Sequence, residues 1–285
     1  MKFSIIIATY NRGDRIKRTI DSVLSQSFKD FELIIIDDGS TDETESLIKA
    51  LKDQRIVYNK IGNSERGAAR NVGINLAKGS YITFLDSDDI FYPNHLEEAH
   101  KFIQSNSSGF FFQPFKIGRN YSISPKKISN EALKEKLITQ GNYLACLGVF
   151  VKSQILKSNL FLESRILSGS EDYELWLRLL SNGIKLHKNP IVTSELIIHD
   201  GRGEKTVSFS RVKERKLFFI ERVKEMNFSK NKKNRILSNS YSFIALQAAI
   251  EGNTDWVKFL FRSISKSTRV LFSRRLFAIL KHGLF

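Results

Sequence analysis

Three clusters of short polar and acidic side chains each follow an apolar, strand-like run. Thr9-Tyr10-Asn11 follows Phe3–Ala8, Asp37-Asp38-Gly39-Ser40 follows Phe31–Ile36, and Asp86-Ser87-Asp88-Asp89 ends the run Tyr81–Leu85. Asp86 and Asp88, at positions i and i+2, can reach a hard divalent cation, which keeps several waters and takes one or two carboxylates plus phosphate oxygens. A carboxylate at Asp37 or Asp38 can accept a hydrogen bond from a base N–H or a ribose hydroxyl. Gly67-Ala68-Ala69-Arg70-Asn71 adds small residues that permit close backbone approach, and a guanidinium suited to phosphate or a base carbonyl. Taken alone, each cluster also has a plain structural account: a solvated turn, a helix cap, or tight packing of helix on sheet.

Further along lie two other candidates. Glu171-Asp172 opens a stretch with apolar residues at Leu175, Leu179 and Leu180 plus Trp176, the pattern of a helix with one packed face. Acidic side chains in a first helical turn are favoured by the helix dipole, which accounts for the pair without any chemistry. His199 ends the strand-like run Pro190–His199 and precedes Asp200-Gly201-Arg202-Gly203-Glu204. That segment could close over a ligand, with His199 near metal or phosphate and Arg202 near diphosphate; a structural histidine is the alternative.

The elements that must position these groups alternate. Strand patterns at Phe3–Ala8, Phe31–Ile36, Arg55–Tyr58 and Tyr81–Leu85 are separated by helical patterns at Arg15–Leu24, around Glu45–Leu51 with a cap from Ser40 or Thr41, and at Ala68–Ala77. Such alternation implies βαβ units and a mainly parallel sheet. Ile5-Ile6-Ile7 and Leu33-Ile34-Ile35-Ile36 are apolar on both faces, as strands buried between two helical layers are. Ligands of such sheets bind at the carboxyl ends of the strands, where the three clusters fall. Beyond these, the spacing predicts a helix over Pro93–Gln104, a strand over Phe110–Phe115, a polar loop over 118–130 and a helix over Glu171–Leu180. From about residue 211 the pattern is helical, with breaks near Asn227–Asn231 and Gly252–Asn253.

Composition narrows the class. The chain has 285 residues, 41% hydrophobic and 26% charged, as a folded globular protein does. Its single cysteine, Cys146, excludes an internal disulfide and reads as a small buried residue in a reducing compartment. No apolar run reaches the length of a membrane span. The formal charge of +15 is uneven, because residues 202–285 hold 19 Lys and Arg against 6 Asp and Glu. This last third interleaves aromatic and basic residues (Trp256, Phe259, Phe261, Phe272 and Phe277 with Lys258, Arg262, Arg269, Arg274 and Lys281). Helices of that kind can lie on an anionic membrane surface or pack on a catalytic domain with the basic face in water.

In order and spacing, four stretches resemble the nucleotide-binding half of the family 2 glycosyltransferases. They are Ser4–Arg12, Ile34–Asp42, Gly67–Gly73 and Gly79–Asp89. The resemblance is strong over residues 1–100 and thinner to about 200. It implies an α/β fold of the GT-A type, Rossmann-like, with a mainly parallel central sheet flanked by helices and a C-terminal helical extension. The expected organisation is a catalytic domain over 1–210, with a nucleotide-sugar half at 1–100 and an acceptor half at 101–210, then a basic helical region over 211–285. The resemblance also implies roles. Thr9 and Tyr10 border the nucleotide, Asp38 binds the base edge, Arg70 lines the site, Asp86 sits near ribose and metal, Asp88 ligates the metal, and Asp89 fixes the loop. Glu171-Asp172-Tyr173-Glu174-Leu175-Trp176-Leu177-Arg178 matches the family's acidic pair and helix, which makes Asp172 the general base of an inverting displacement. Trp176 is expected in the core.

The implied activity is sugar transfer from a nucleotide-diphosphate donor, with UDP the family's best guess, to a hydroxyl of a glycan or lipid-linked acceptor. The implied cofactor is Mn²⁺ or Mg²⁺, and the setting is polysaccharide, lipopolysaccharide or glycolipid assembly. The chain is expected in the cytoplasm, with peripheral attachment to the inner membrane face left open and no nucleic acid partner. Three other readings remain: a nucleotidyltransferase, disfavoured by the lack of a Gly-rich phosphate loop near the N-terminus; a non-catalytic membrane or polyanion binder acting through the basic helices; and a degenerate, non-catalytic family member, against which the retention of Asp38, Asp88 and Asp172 speaks.

Overall fold

A computed structural model describes residues 2–121, 128–199 and 208–284. The chain divides into two compact units. The first comprises Met1–Leu133, Tyr143–Arg165 and Ile184–Asp200; the second comprises Lys134–Asn142, Ile166–Gly183 and Gly201–Phe285.

The first unit is built on the alternation read from the sequence. Strands β1 (Phe3–Thr9), β2 (Phe31–Asp37), β3 (Ile56–Lys60) and β4 (Tyr81–Phe84) alternate with helices α1 (Ile16–Leu24), α2 (Thr44–Ala50) and α3 (Arg66–Leu76). There follow β5 (Ile90–Phe91), α4 (His95–Ser105), β6 (Phe110–Phe112), β7 (Phe115–Ile117), β8 (Asn120–Tyr121) and the start of α5 (Asn130–Gln140), whose residues from Lys134 onward belong to the second unit. The unit is completed by β9 (Val149–Lys152), α6 (Ser153–Lys157), β10 (Leu186–Lys188) and β11 (Ser194–Leu196). Among the described residues the main sheet has seven strands in the order β10-β6-β9-β4-β1-β2-β3. It is mainly parallel: β9 is antiparallel to both neighbours, while β10–β6, β4–β1, β1–β2 and β2–β3 are parallel. Ile5, Ile6, Ile7 and Leu33 to Ile36 are fully buried, so these strands are covered on both faces. The order turns from β1 to β2 on one side and from β1 to β4 on the other, which opens a crevice at their carboxyl ends.

A second sheet, β5-β11-β7-β8, arises where sequence reasoning expected one strand over Phe110–Phe115. Pro114 has no N–H for a ladder, and the run breaks there into β6 of the large sheet and β7 of the small one. The expected strand Pro190–His199 contracts to β11. The expected helix over Pro93–Gln104 begins after its proline, at His95. The expected cap on α2 is also replaced. Ser40 Oγ accepts from the Asn11 N–H at 2.9 Å, and Asp42 Oδ1 instead accepts from the Thr44 N–H at 3.1 Å.

The second unit contains α7 (Glu171–Ser181), α8 (Phe209–Glu225), α9 (Lys230–Ile250), α10 (Asp255–Lys266) and α11 (Arg274–Leu284). Its core gathers Phe209, Ile244, Ala245, Ala248, Phe259 and Ile279. Ser208 and Ser229 cap α8 and α9, each hydroxyl accepting from the backbone N–H three residues on. Trp176 and Cys146 are buried, as expected. No helix among the described residues is long and apolar enough to cross a membrane.

Candidate functional site

The crevice of the first unit collects the side chains singled out in the sequence. β1 ends at Thr9, β2 ends at Asp37, and β4 runs into Leu85 and Asp86. Parallel pairing sets Thr9 beside Asp37. The Thr9 carbonyl accepts from the Asp38 N–H at 2.8 Å. Thr9 Oγ1 is buried and has no hydrogen-bond partner among the described residues. A buried hydroxyl is normally satisfied, so an orphan at a crevice suits a bound molecule. Tyr10, next along, is 45% exposed and presents a free ring face.

The two adjacent aspartates have different work. Asp37 is fully buried and structural: Oδ1 accepts from the Ser40 N–H at 2.7 Å and Oδ2 from the Tyr58 hydroxyl at 2.8 Å. Gly39, at φ +86°, makes possible the turn that brings the Ser40 N–H back to Asp37. Asp38 accepts from the Ser64 N–H at 2.7 Å and the Glu65 N–H at 2.9 Å, so it ties down the loop that leads into α3. Burial pushes its carboxyl above the ordinary value of 3.8 and outweighs those two amide bonds, which act the other way. The fold therefore holds this anion at some cost. Glu65, at the end of the same loop, has φ +77° without being glycine, a strained conformation of the kind that gathers at ligand sites.

Arg70 lies one turn into α3. Its guanidinium is nearly buried, pairs with Asp86 at 2.9 Å, and stacks over the Phe161 ring at 5.5 Å. Asp86 keeps a third of its side chain exposed while paired with Arg70. Asp89 is buried and holds the turn as expected: its Oδ1 accepts from the Ile197 N–H at 2.9 Å and its carbonyl from Thr19 Oγ1 at 2.9 Å. That bond to Ile197 ties the strand-end turn to the segment leaving β11, and so sets His199 next to Asp88. His199 Nε2 lies 2.9 Å from Asp88 Oδ2, and His199 Nδ1 lies 2.7 Å from Arg15 Nη1. A guanidinium can only donate, so Nδ1 accepts and Nε2 carries the proton toward Asp88. Arg15 was missed in the sequence. Its signal was a basic residue just after the first strand-end cluster.

A divalent cation fits this donor set in part. Among the described residues no three His, Cys, Asp or Glu side chains converge on one point. Asp88 offers a carboxylate of the kind such cations take, and His199 Nε2 beside it would join as a ligand once its proton shifts to Nδ1 and Arg15 turns away. Mg²⁺ and Mn²⁺ commonly take few protein ligands and fill the rest with water and substrate phosphate.

Asp172 belongs to the second unit, at the first turn of α7. Its Oδ2 accepts from Asn142 Nδ2 at 2.9 Å and its Oδ1 from the Tyr173 N–H at 2.7 Å. Its neighbour Glu171 is buried and accepts from the Gly169 N–H at 2.6 Å. Glu174, also buried, pairs with Arg178 at 3.0 Å. Of the acidic residues in this turn, Asp172 alone is not buried. Arg202 and the rest of 200–207 lie outside the described residues.

Comparison with known proteins gives the lineage. Residues 4–156 match Glycosyl transferase family 2. The chain is 35% identical over 213 residues to the UDP-Glc:alpha-D-GlcNAc-diphosphoundecaprenol beta-1,3-glucosyltransferase WfaP of Escherichia coli, covering 74% of this chain and 81% of that one. It is 36% identical over 169 residues to the poly(ribitol-phosphate) beta-N-acetylglucosaminyltransferase TarP of Staphylococcus aureus, covering 56% and 51%. The crystal structure of S. aureus TarS 1-349 in complex with UDP-GlcNAc superposes with a TM-score of 0.75 at 20% identity, over 99% of this chain and 89% of that one, and shares the GT-A fold. The matched family segment contains the whole strand-end crevice except His199, and so the chain belongs to glycosyl transferase family 2 and is a glycosyltransferase.

Proposed function

We propose that the chain transfers a sugar from a UDP-sugar to a hydroxyl of a glycan or lipid-linked acceptor, with inversion at the anomeric carbon. The observation that carries the donor assignment is the gathering of the orphan Thr9 hydroxyl, the costly Asp38 anion and the Arg70–Asp86 pair around one crevice. The nucleotide base packs on Tyr10 and donates to Asp38, while Arg70 orients Asp86 toward the ribose. Asp88 and His199 would hold a divalent cation, which supplies positive charge against the departing diphosphate. Asp172 takes the proton from the acceptor hydroxyl as that oxygen attacks, a contribution of about 10²–10⁴-fold. The sugar donor of WfaP and the nucleotide ligand of TarS support UDP as the carrier.

Calorimetric titration of UDP, with GDP and dTDP as controls, with and without Mn²⁺, tests the donor site on wild type and Asp88→Ala. UDP binding that needs both Mn²⁺ and Asp88 is expected. A folded protein that binds no nucleotide would overturn the donor site. For Asp172, Asp172→Asn should lower kcat with UDP affinity unchanged.

A second reading concerns location. Phe272 is 92% exposed and Phe277 80%, beside Arg274 and Lys281. Exposed aromatics beside basic side chains fit the headgroup region of an anionic bilayer, and the net positive charge of 202–285 has the matching sign. Flotation of the full chain with phosphatidylglycerol vesicles should be lost in Phe272→Ser/Phe277→Ser. Equal flotation of the two proteins would remove the reading.

A further inference from the structure

The second unit holds a cavity of about 290 Å³ between the end of α5, α9 and the segment entering α11. Its wall includes Arg235, Asn239, Ser242, Arg269, Ser273 and Arg275, and no carboxylate lines it. Arg235 is paired with Glu135. Arg269 and Arg275 make no ion pair among the described residues.

Arg275 is the informative one. Its Nη1 donates to the Asn239 carbonyl at 3.2 Å, to Asn239 Oδ1, and to Ser242 Oγ at 2.9 Å. Those neutral acceptors fix the plane of the guanidinium, while Nε and Nη2 donate to nothing among the described residues. Burial pushes its pKa below the usual 12.5, yet a guanidinium keeps its proton. Its charge is therefore partly desolvated and has no carboxylate partner among the described residues, a state that a bound anion relieves. A second cation lies across one ring. Phe243 has the Arg275 guanidinium at 5.6 Å and the Lys216 ammonium at 5.1 Å from its centroid. Lys216 makes no ion pair either, and burial with the nearby charges of Arg215 and Arg275 pushes it down to about 8. Asp172 is an acidic group whose charge acts on Lys216. The strip of cations thus runs from the cavity toward the carboxylate proposed as the base.

We propose that the cavity binds a phosphate ester, held by Arg275 and Arg269, and that Lys216 extends the same anion-binding strip. Two guanidinium forks on one wall, with no carboxylate among its lining residues, match a tetrahedral oxyanion with several acceptor oxygens better than a single carboxylate. The strip leads to Asp172, so the ester is assigned to the phosphate or diphosphate of the acceptor. That source rests on the reading of Asp172 as the base; the anion site does not.

Pyrophosphate is the probe, titrated calorimetrically into the full chain at low salt. Arg275→Met should weaken the site by about tenfold or more and leave UDP binding unchanged. Arg269→Ala, a change at an exposed side chain that keeps the fold, should weaken it less, by roughly three- to tenfold. Asp38→Asn should weaken UDP and leave the Arg275-dependent pyrophosphate site intact. Arg275-dependent pyrophosphate binding in a chain that binds no UDP would sink the donor reading and keep the anion site. UDP binding with pyrophosphate affinity indifferent to both arginine variants would overturn the anion site alone. Phosphatidylcholine vesicles doped with phosphatidic acid separate the sources. Arg275-dependent flotation assigns the anion to a lipid headgroup, and Arg275-independent flotation with Arg275-dependent pyrophosphate binding assigns it to a soluble ester.

Discussion

Asp38→Asn separates a carboxylate that serves the fold from one that serves a ligand. Asp38 bonds two backbone amides, at 2.7 and 2.9 Å, from a site only 5% exposed. The amide variant keeps one acceptor and turns a donor against the other N–H. A hydrogen bond to a charged group is worth about 1.5–3 kcal/mol, and this loss would be the whole effect if the charge were otherwise well placed. It is not, because burial outweighs the amide bonds and raises the carboxyl pKa above 3.8. Removing the charge recovers that desolvation. The two effects oppose each other at similar size, so urea unfolding should move by no more than about 1 kcal/mol. Nucleotide affinity has no such offset. Loss of one charge-assisted bond to the base should weaken UDP by about 10- to 100-fold. The pH dependence has the matching sign. With a raised folded pKa, the carboxyl takes up its proton at a higher pH than an ordinary aspartate. UDP affinity should therefore begin to fall earlier on acidification in wild type, and this component should be absent in the variant. Calorimetry at several pH values together with urea melts reads both quantities. UDP affinity within threefold of wild type, alongside a stability loss above about 2 kcal/mol, would make Asp38 a loop clamp and refute the argument.

Three other perturbations test particular contacts. Arg70→Met removes a nearly buried guanidinium but leaves Asp86 a third exposed and able to rehydrate, so urea unfolding should show a loss of about 1–3 kcal/mol, less than for a fully buried pair. A loss below about 0.5 kcal/mol would mean the pair adds nothing. Gly73→Ala would ordinarily stabilise a helix interior by up to about 1 kcal/mol. Here the new Cβ would lie 2.6 Å from Ile6 Cγ2 at the junction of α3 and β1, so a net destabilisation of about 1–3 kcal/mol is expected, and a raised Tm would contradict that packing. Lys216→Met should raise stability at pH 7. Between its folded pKa of about 8 and the ordinary 10.5, the unfolded chain binds a proton that the folded chain does not, so wild-type stability climbs through that window. The variant's advantage, about 1–2 kcal/mol at pH 7 after allowance for partial exposure, should shrink toward pH 10.5. A constant difference across that range would show that Lys216 titrates normally.

What the sequence alone determined was local. Ile5-Ile6-Ile7 and Leu33–Ile36 are apolar at every position, so they could only be strands covered on both faces, and the chemistry had to lie where each run meets its first polar residue. That reasoning found Thr9, Asp38, Asp86 and Asp88 and put them at one sheet edge. The helical end of the chain was legible in part: the stops near Asn227–Asn231 and Gly252–Asn253 were read, but the break over Thr268–Phe272 between α10 and α11 was not. Long-range closure was not legible. His199 was expected near a metal held by Asp88, but its contacts at 2.9 Å with Asp88 and 2.7 Å with Arg15 come from a small sheet assembled from short strands of three separate stretches of chain. Phe110–Phe115 reads as one strand because hydropathy cannot reveal that Pro114 hands the chain from one sheet to another. Nor can composition separate a solvated arginine from Arg275. Both are charged residues in a basic segment, and only the packing of α9 and α11 decides that one loses its water without gaining a counter-ion. Periodicity records which face of an element is buried; the charges that burial leaves unbalanced are decided by the tertiary structure.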